Sequence, residues 1–437
     1  VEIELLVGLA GGLSALFLFV AFGFVAAPFR TLLYALVLLV GTIVGMEIPL
    51  VMRLLNQQEH EFKEIVARVL TFDYMGAQFV LLSSLLFPLL LAPKLGMARS
   101  ALLFGILNAA IAYITARVFC AKIARYKALA GRCFIVLMLL VMAFVYANYW
   151  VLQAEQRYFG DPVVYESHSP YQRLVVTQWK DDIRLYINGN LQFSSRDEAR
   201  YHEALVIPAM QMSPSRKRVL ILGGGDGLAA REVLKYPEVQ QLTLVDLDPD
   251  MTRTFQTSAR LTALNKNALN HPKIRIINDD AAQWLQHQAE RFDVIIIDLP
   301  DPSNFALGKL YSVPMYRMVA QRLNPGGKIV VQSTSPYFAP NAYWSVVATL
   351  EAAGLRTAPY HVYVPSFGEW GFVMADTAGD FRQPARIDVP TQFLTPSVLA
   401  QMFDFPNDMA RRPVEANYLN NQKLVAYFEQ DWANVMR

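Results

Sequence analysis

The chain has 437 residues, 54% hydrophobic and 17% charged, with a mean hydropathy of +0.26, too long for one average domain and too apolar for an ordinary water-soluble one. Its formal net charge of +2 gives no strongly basic face, which counts against nucleic acid as a partner. The charge is uneven, with 11 Lys/Arg against 7 Asp/Glu in residues 1–150 and 28 against 30 in 151–437, so two chemically different objects meet near Trp150.

Apolar runs long enough to cross a hydrocarbon core, which takes roughly 20 helical residues, fall at 5–29, 31–55, 66–92, 97–118 and 134–150. Residues 1–150 therefore read as a transmembrane helical domain of about five spans by the apolar-run criterion. None of the runs has the basic front and small-residue cleavage site of a signal peptide. Val1 is not an initiator Met and residues 1–6 already read as helix, so the natural chain is expected to begin earlier. Cys120 and Cys133 both lie in this apolar third, which leaves the polar part without a disulfide framework or a Cys-based metal site.

Ionisable residues inside such runs are costly and tend to be turned inward. Glu47 and Asp73 are the two here, read either as a cation- or polyamine-binding point between helices or as hydrogen bonds that lock packing, with Gly45 and Gly76 allowing close approach. Residues 57–63 read as a solvated loop. The Lys122, Arg125, Lys127 and Arg132 cluster precedes the last span and by the positive-inside rule is cytoplasmic. One more crossing would then place everything after Trp150 outside.

From 153 to 208 the pattern is short β-rich runs at 163–165, 173–177 and 183–187, with Asn188-Gly189 as a hairpin signal. From Lys217 the rhythm becomes strand, glycine turn, helix. Near-continuous apolar strands at 218–222, 242–246, 274–277, 293–298 and 328–331 mark a parallel sheet covered on both faces. The expected division is a membrane domain over 1–150, a small antiparallel β domain over 151–208, a Rossmann-like α/β domain over 209–380 and a C-terminal helical extension over 381–437. A nucleotide-type ligand belongs at the carboxyl ends of the parallel strands.

The first parallel strand ends in Gly223-Gly224-Gly225-Asp226-Gly227, whose glycines allow close backbone approach, and Asp246 lies about 20 residues on, where a carboxylate can hold ribose hydroxyls. The turn departs from Gly-x-Gly-x-x-Gly and holds no basic residue, which disfavours a pyrophosphate. Asp226 beside the ligand's tail attracts an ammonium and repels a carboxylate, which suits a nucleoside with a bare amine tail. The fourth strand ends in Asp298-Leu299-Pro300-Asp301-Pro302, followed by Leu310-Tyr311. Two carboxylates three residues apart argue for a cationic substrate or a general base, against a plain Asp-Pro capping turn.

These blocks, with Tyr171-Gln172, residues 188–192, Asp197-Glu198, Tyr201-His202-Glu203, Asp280-Ala281, Gln332, Val364-Pro365 and Gly371-Phe372, resemble the polyamine aminopropyltransferases, the spermidine and spermine synthases, in a membrane-anchored bacterial form. The likeness covers roughly 165–375. It implies a class I methyltransferase-type sheet and transfer of an aminopropyl group from decarboxylated S-adenosylmethionine to a diamine, putrescine first, releasing methylthioadenosine and needing neither cofactor nor metal. Carried over by position, Gln172, Gly223, Gly224, Gly225 and Asp226 contact the donor, Asp246 its ribose and Asp280 with Ala281 its adenine. Asp298 is the base, with Tyr201 beside it, and Tyr201, His202, Asp298, Asp301 and Gln332 form the amine pocket. The resemblance further implies a homodimer in the bacterial inner membrane. Because the donor is made in the cytoplasm, the catalytic domain is expected there, against the charge count.

The sequence departs from the family where Asp246 replaces the usual Glu and where Ser366-Phe367 replaces Thr-Tyr. Tyr363 or Tyr337 are the candidates to supply the missing hydroxyl. Trp344, Trp370 and Phe372 read as packing. The alternatives are an S-adenosylmethionine-dependent methyltransferase on the same sheet, which Asp226 and the Asp298/Asp301 pair oppose, and a non-catalytic polyamine sensor or transporter built on Glu47 and Asp73.

Overall fold

The structure is a computed structural model and describes residues 1–24, 29–56, 66–67, 69–71, 74–76, 78, 84–123 and 125–435. The chain divides into two compact units, residues 1–170 with 176–179 and residues 171–175 with 180–437.

In the first unit the apolar runs become helices α1 (Glu2–Phe24), α2 (Phe29–Gly45), α3 (Glu47–Asn56), α4 (Ala92–Val118) and α5 (Tyr126–Phe159). Among the described residues four stretches are long and apolar enough to cross a membrane: Glu2–Ala21, Thr31–Arg53, Lys94–Val118 and Tyr126–Phe159. The loop at 57–63 and Asp73 lie outside the described residues, and the expected run at 66–92 is described in part, with a helical turn at Phe87–Leu91. Glu47 is the first residue of α3 and half-buried. A Cβ on Gly45 or Gly76 would meet nothing within 4 Å, so among the described residues neither is a point of close helix approach. That approach occurs instead between α1 and α4, where a Cβ on Gly105 would lie 2.6 Å from the Gly8 carbonyl and 2.7 Å from the Gly12 Cα. Gly8 and Gly12 are one turn apart, the spacing that lets two backbones meet. Strand β1 (Val163–His168) belongs to this unit, and β2 (Arg173–Trp179) is divided between the two.

The second unit begins with a hairpin. Strands β3 (Asp182–Ile187) and β4 (Asn190–Ser194) pair antiparallel through Asn188 and Gly189, at φ +51° and +85°, the doubly left-handed turn that matches strand twist. The chain continues through α6 (Glu198–Met212), β5 (Arg218–Gly223), α7 (Leu228–Val233), β6 (Gln241–Asp246), α8 (Pro249–Thr257), β7 (Ile274–Asn278), α9 (Ala281–His287), β8 (Phe292–Asp298), α10 (Val313–Gln321) and β9 (Leu323–Gln332). It ends with α11 (Pro340–Ala352), β10 (Arg356–Val364), β11 (Gly368–Asp376) and α12 (Lys423–Val435). The seven-stranded sheet has the order β10-β11-β9-β8-β5-β6-β7. Its five expected parallel strands are joined by β11 and β10, both antiparallel, which the sequence did not announce. Pro359 fits because β10 is the sheet edge, where a missing N–H is tolerated.

The central strands are apolar on both faces, with Val219 to Leu222 and Val294 to Ile297 fully buried. Strand order reverses between β5 and β8, where Gly223 pairs with Asp298. That reversal opens a crevice at the carboxyl ends of the strands. Residues 381–435 are tied into the same unit: the buried Glu203 carboxylate accepts the amides of Gln392, Phe393 and Leu394 at 2.6, 2.9 and 2.8 Å. Asp431 of α12 accepts the amides of Asn341 and Ala342 at the start of α11.

Candidate active site

The glycine turn after β5 is shaped by what lies against it. Gly223 has φ +84°, and a Cβ there would sit 2.1 Å from the Asp298 carbonyl. The Gly224 position faces the Asp298 carboxylate at 3.4 Å, and the Gly225 position would strike the Asp246 carboxylate at 2.6 Å. The turn thus brings the ends of β5, β6 and β8 together. Asp246 accepts the Gly225 amide (3.0 Å) and the Asp248 amide (2.9 Å). Burial nonetheless pushes its carboxyl up to about 6. Asp226, at the foot of the turn and buried, accepts the Leu228 amide at 2.9 Å. Burial raises it too, against the pull of His202 and that amide.

Asp280 caps α9 by accepting the amides of Ala282 (2.9 Å) and Gln283 (3.2 Å) and pairs with Lys309 at 3.1 Å. Against a burial penalty, the amides and Lys309 hold its carboxyl below the ordinary value. The neighbouring Asp279 amide donates to the Asp246 carbonyl, and Ala281 is buried, so both adenine candidates stand beside the ribose candidate. Gln172 lies half-buried immediately before β2.

Tyr201, on α6, donates its hydroxyl to Asp298 Oδ1 at 2.7 Å. Burial, the nearby Asp226 charge and the opposing pull of His202 and Tyr201 set the Asp298 carboxyl at about 6. Burial and Asp298 push the Tyr201 phenol far above its usual value, which makes it a donor and not a base. Asp301 is likewise lifted by burial to about 6. It accepts from Thr334 Oγ1 at 3.2 Å and Gln332 Nε2 at 3.4 Å. Gln332 Nε2 also donates to the Leu299 carbonyl and to the Tyr311 hydroxyl, the latter at 2.7 Å. Thr334 holds φ +57°, a left-handed conformation that costs a β-branched residue and that folds keep mainly at working sites.

Arg231 and Glu232 join the site without having been singled out in the sequence. His202 leans on Glu198 at 2.8 Å, and Arg231 grips both Glu198 oxygens at 2.9 and 2.8 Å while its Nε reaches Glu232. Burial opposes the charge on Glu198, but His202 and Arg231 take its carboxyl down to about 2. Phe367 and Trp370 pack 5.1 Å apart and lie 6.2 and 6.4 Å from the Tyr201 ring. Phe372 is also against Tyr201, at 5.3 Å, and stacks on Tyr360. Trp344 is core, donating to the Met409 carbonyl. Trp370 is half-buried and packs against Phe367 and Tyr201, with its Nε1 lacking a hydrogen-bond partner among the described residues. Tyr337 and Tyr363 are each 53% exposed, and the rings that pack on Phe367 are Tyr201 and Trp370 instead. Ser366 has its own task, meeting Asp197 through amide (2.7 Å) and hydroxyl (3.0 Å). Among the described residues no three His, Cys, Asp or Glu side chains could hold a metal ion.

A polyamine aminopropyltransferase of Ralstonia nicotianae is 55% identical over 442 residues, spanning 100% of this chain and 86% of its own length. The chain belongs to the polyamine aminopropyltransferases. Another member, from Leptospira interrogans, is 45% identical and spans 100% of this chain and 86% of its own. The spermine/spermidine synthase domain matches residues 198–383. The crystal structure of a spermidine synthase in complex with the transition-state analogue AdoDATO shares 25% identity, 56% of this chain and 86% of its own, at a TM-score of 0.51. The enzyme is therefore a transferase, and these relatives favour neither the methyltransferase nor the sensor reading.

Proposed function

We propose that the enzyme moves the aminopropyl group of decarboxylated S-adenosylmethionine to putrescine, giving spermidine and methylthioadenosine, from a multi-pass position in the bacterial inner membrane. The observation that carries the chemistry is the Tyr201–Asp298 hydrogen bond of 2.7 Å set against the glycine turn. Gly223, Gly224 and Gly225 take the donor's edge, Asp246 its ribose, Asp280 and Ala281 its adenine, and Asp226 with Gln172 its aminopropyl tail. Asp301, Gln332 and His202 hold the far end of the diamine.

An alkylamine is protonated near pKa ~10 and cannot attack as an ammonium. Asp298, ionised above about 6, takes that proton as general base while Tyr201 keeps its carboxylate oriented. The freed nitrogen pair attacks the carbon beside the sulfonium. The carbon–sulfur bond breaks with its electrons moving to sulfur, which leaves as a neutral thioether. Both reactants are cations, and the buried Asp226 with the half-buried Asp298 and Asp301 offset their repulsion and align them. A neighbour of this fold crystallised with the transition-state analogue AdoDATO, which supports transfer chemistry in this crevice.

Membrane residence rests on the four apolar helices, whose outer faces leave Leu38 74% and Val118 69% exposed. The catalytic side is assigned to the cytoplasm, where the donor is made, and the working unit to a homodimer by analogy with anchored enzymes of this fold. The test is methylthioadenosine release by detergent-purified protein supplied with donor and a panel of amines. Amine-dependent release, greatest with putrescine and reduced on the order of 100-fold or more in Asp298→Asn, is expected. Release independent of Asp298 would overturn the assignment of the base, and a better amine would replace putrescine.

A further inference from the structure

Thr334 lies just beyond the end of β9, is fully buried and holds φ +57°. A β-branched side chain rarely takes that left-handed backbone, whereas a glycine takes it freely. The surrounding chain holds it there: the Ser333 amide donates to the Gly371 carbonyl at 2.9 Å, and the Gly371 amide donates to the Thr334 carbonyl at 2.7 Å. The approach is so close that a Cβ on Gly371 would lie 2.9 Å from the Thr334 carbonyl oxygen. A glycine at 334 would keep both backbone bonds without strain, so the strain is carried for the sake of the threonine side chain. Among the described residues the hydroxyl has one partner, Asp301 Oδ2, to which it donates at 3.2 Å.

Asp301 depends on that hydroxyl. Gln332 Nε2 lies 3.4 Å from Oδ1, but an amide group offers only two hydrogens, and nearer acceptors take both: the Leu299 carbonyl and the Tyr311 oxygen, the latter at 2.7 Å. Tyr311 in turn gives its own hydrogen to the Leu299 or Pro300 carbonyl, at 2.9 and 3.1 Å. Thr334 is thus the donor left to fix the carboxylate, and contacts of this length in a substrate-free site commonly tighten when substrate binds. With Oδ2 tied, Oδ1 is the oxygen left to meet an ammonium.

We propose that Thr334 is a positioning residue that makes the enzyme prefer a diamine to a monoamine, by holding Asp301 so that Oδ1 receives the ammonium at the far end of the acceptor. This rests on the aminopropyl-transfer reading above. Butylamine has the carbon chain of putrescine without the far ammonium, so it does not feel how Asp301 is held. Attack by the near nitrogen depends on Asp298 and Tyr201, to which Thr334 makes no hydrogen bond among the described residues.

The experiment is methylthioadenosine release by the full-length protein in detergent, with putrescine or butylamine as acceptor, for the wild type, Thr334→Val, Thr334→Gly and Thr334→Ser. Val keeps the branched shape without the hydroxyl, Gly removes hydroxyl and strain together, and Ser keeps the hydroxyl. Thr334→Val and Thr334→Gly should each lower kcat/KM for putrescine roughly tenfold, mainly through KM, as expected for a lost hydrogen bond to a charged group. The butylamine value and the KM for the donor should stay unchanged, and Thr334→Ser should keep the wild-type preference. Equal losses on both amines would make Thr334 merely structural and overturn the proposal. So would a wild-type preference retained by Thr334→Gly, a loss in Thr334→Ser as large as that in Thr334→Val, or a wild type that does not prefer putrescine to butylamine. If Thr334→Val does not fold, Thr334→Gly, which relieves the backbone, decides by the same comparison. Product with an unaltered preference defeats the positioning role alone, whereas no product from the wild type with any amine defeats the reading beneath it.

Discussion

Burial lifts the carboxyls of Asp298, Asp301 and Asp246 to about 6 each, from an ordinary value of 3.8. A two-unit shift corresponds to about 3 kcal/mol between protonation states. The folded chain binds more protons than the unfolded one between those values, so each group's contribution to stability is full below about 3.8 and lost as pH rises through about 6. At neutral pH the three charges are a strain that only their chemistry explains. Asp298→Asn keeps the shape and removes one charge. It should raise the melting temperature at pH 7.5 by a few degrees, a gain on the order of 1–3 kcal/mol, in a protein whose transfer activity has collapsed. The wild-type kcat should fall as pH drops through about 6, because the base must be ionised to accept the proton. Thermal melts and a pH–rate profile check both; a destabilised Asp298→Asn would show that the Tyr201 hydrogen bond outweighs the buried charge.

At the scale of elements, the turn after β5 acts as a gauge for the carboxylates beside it. Gly225 has no left-handed φ to explain its glycine, yet a Cβ would lie 2.6 Å from Asp246 Oδ2 and 2.9 Å from the Met251 side chain. Gly225→Ala should therefore fold, displace the Asp246 carboxylate and raise the KM for the donor on the order of tenfold, with a smaller change in kcat. Steady-state kinetics with the donor varied measure it, and equal losses in KM and kcat would mean the whole turn had moved. The turn was legible because Gly223 to Gly227 follows an apolar strand and Asp246 ends the next. Five parallel strands were legible for the same reason, as runs such as Val294 to Ile297 have no polar face. Strands β10 and β11 were not, because Pro359 and the mixed residues around it give no alternation and only the open edge beside β9 makes them strands. The clamp of Glu198, Arg231 and Glu232 was hidden as well. Arg231 and Glu198 are 33 positions apart, and nothing in single-letter order pairs them. Phe367 looked like a missing hydroxyl, whereas its ring completes an aromatic wall with Trp370 and Tyr201.

For the whole molecule, the proposed membrane position turns on sidedness, and α5 sharpens it. Its 34 residues span about 51 Å at 1.5 Å each, well beyond a hydrocarbon core of ~30 Å, so a helix too short to cross is no way out of the charge conflict. Arg125, Lys127 and Arg132 sit at its beginning and Arg157 at its end, with exposed Tyr146, Tyr149 and Trp150 toward that end, as an interfacial belt requires. The basic beginning argues for the cytoplasm, while the chemistry argues that the other end, which leads to the site, is cytoplasmic because the donor is made there. Charge bias acts on short connections, and long domains translocate largely regardless of their charge, so the cytoplasmic assignment is carried by the donor alone. A fluorescent reporter that matures only in the cytoplasm, fused after Arg437, should therefore be bright, and a phosphatase active only outside should be silent. The reverse pattern would put Asp298 outside the cell, and the donor would then have to cross the bilayer before it could react.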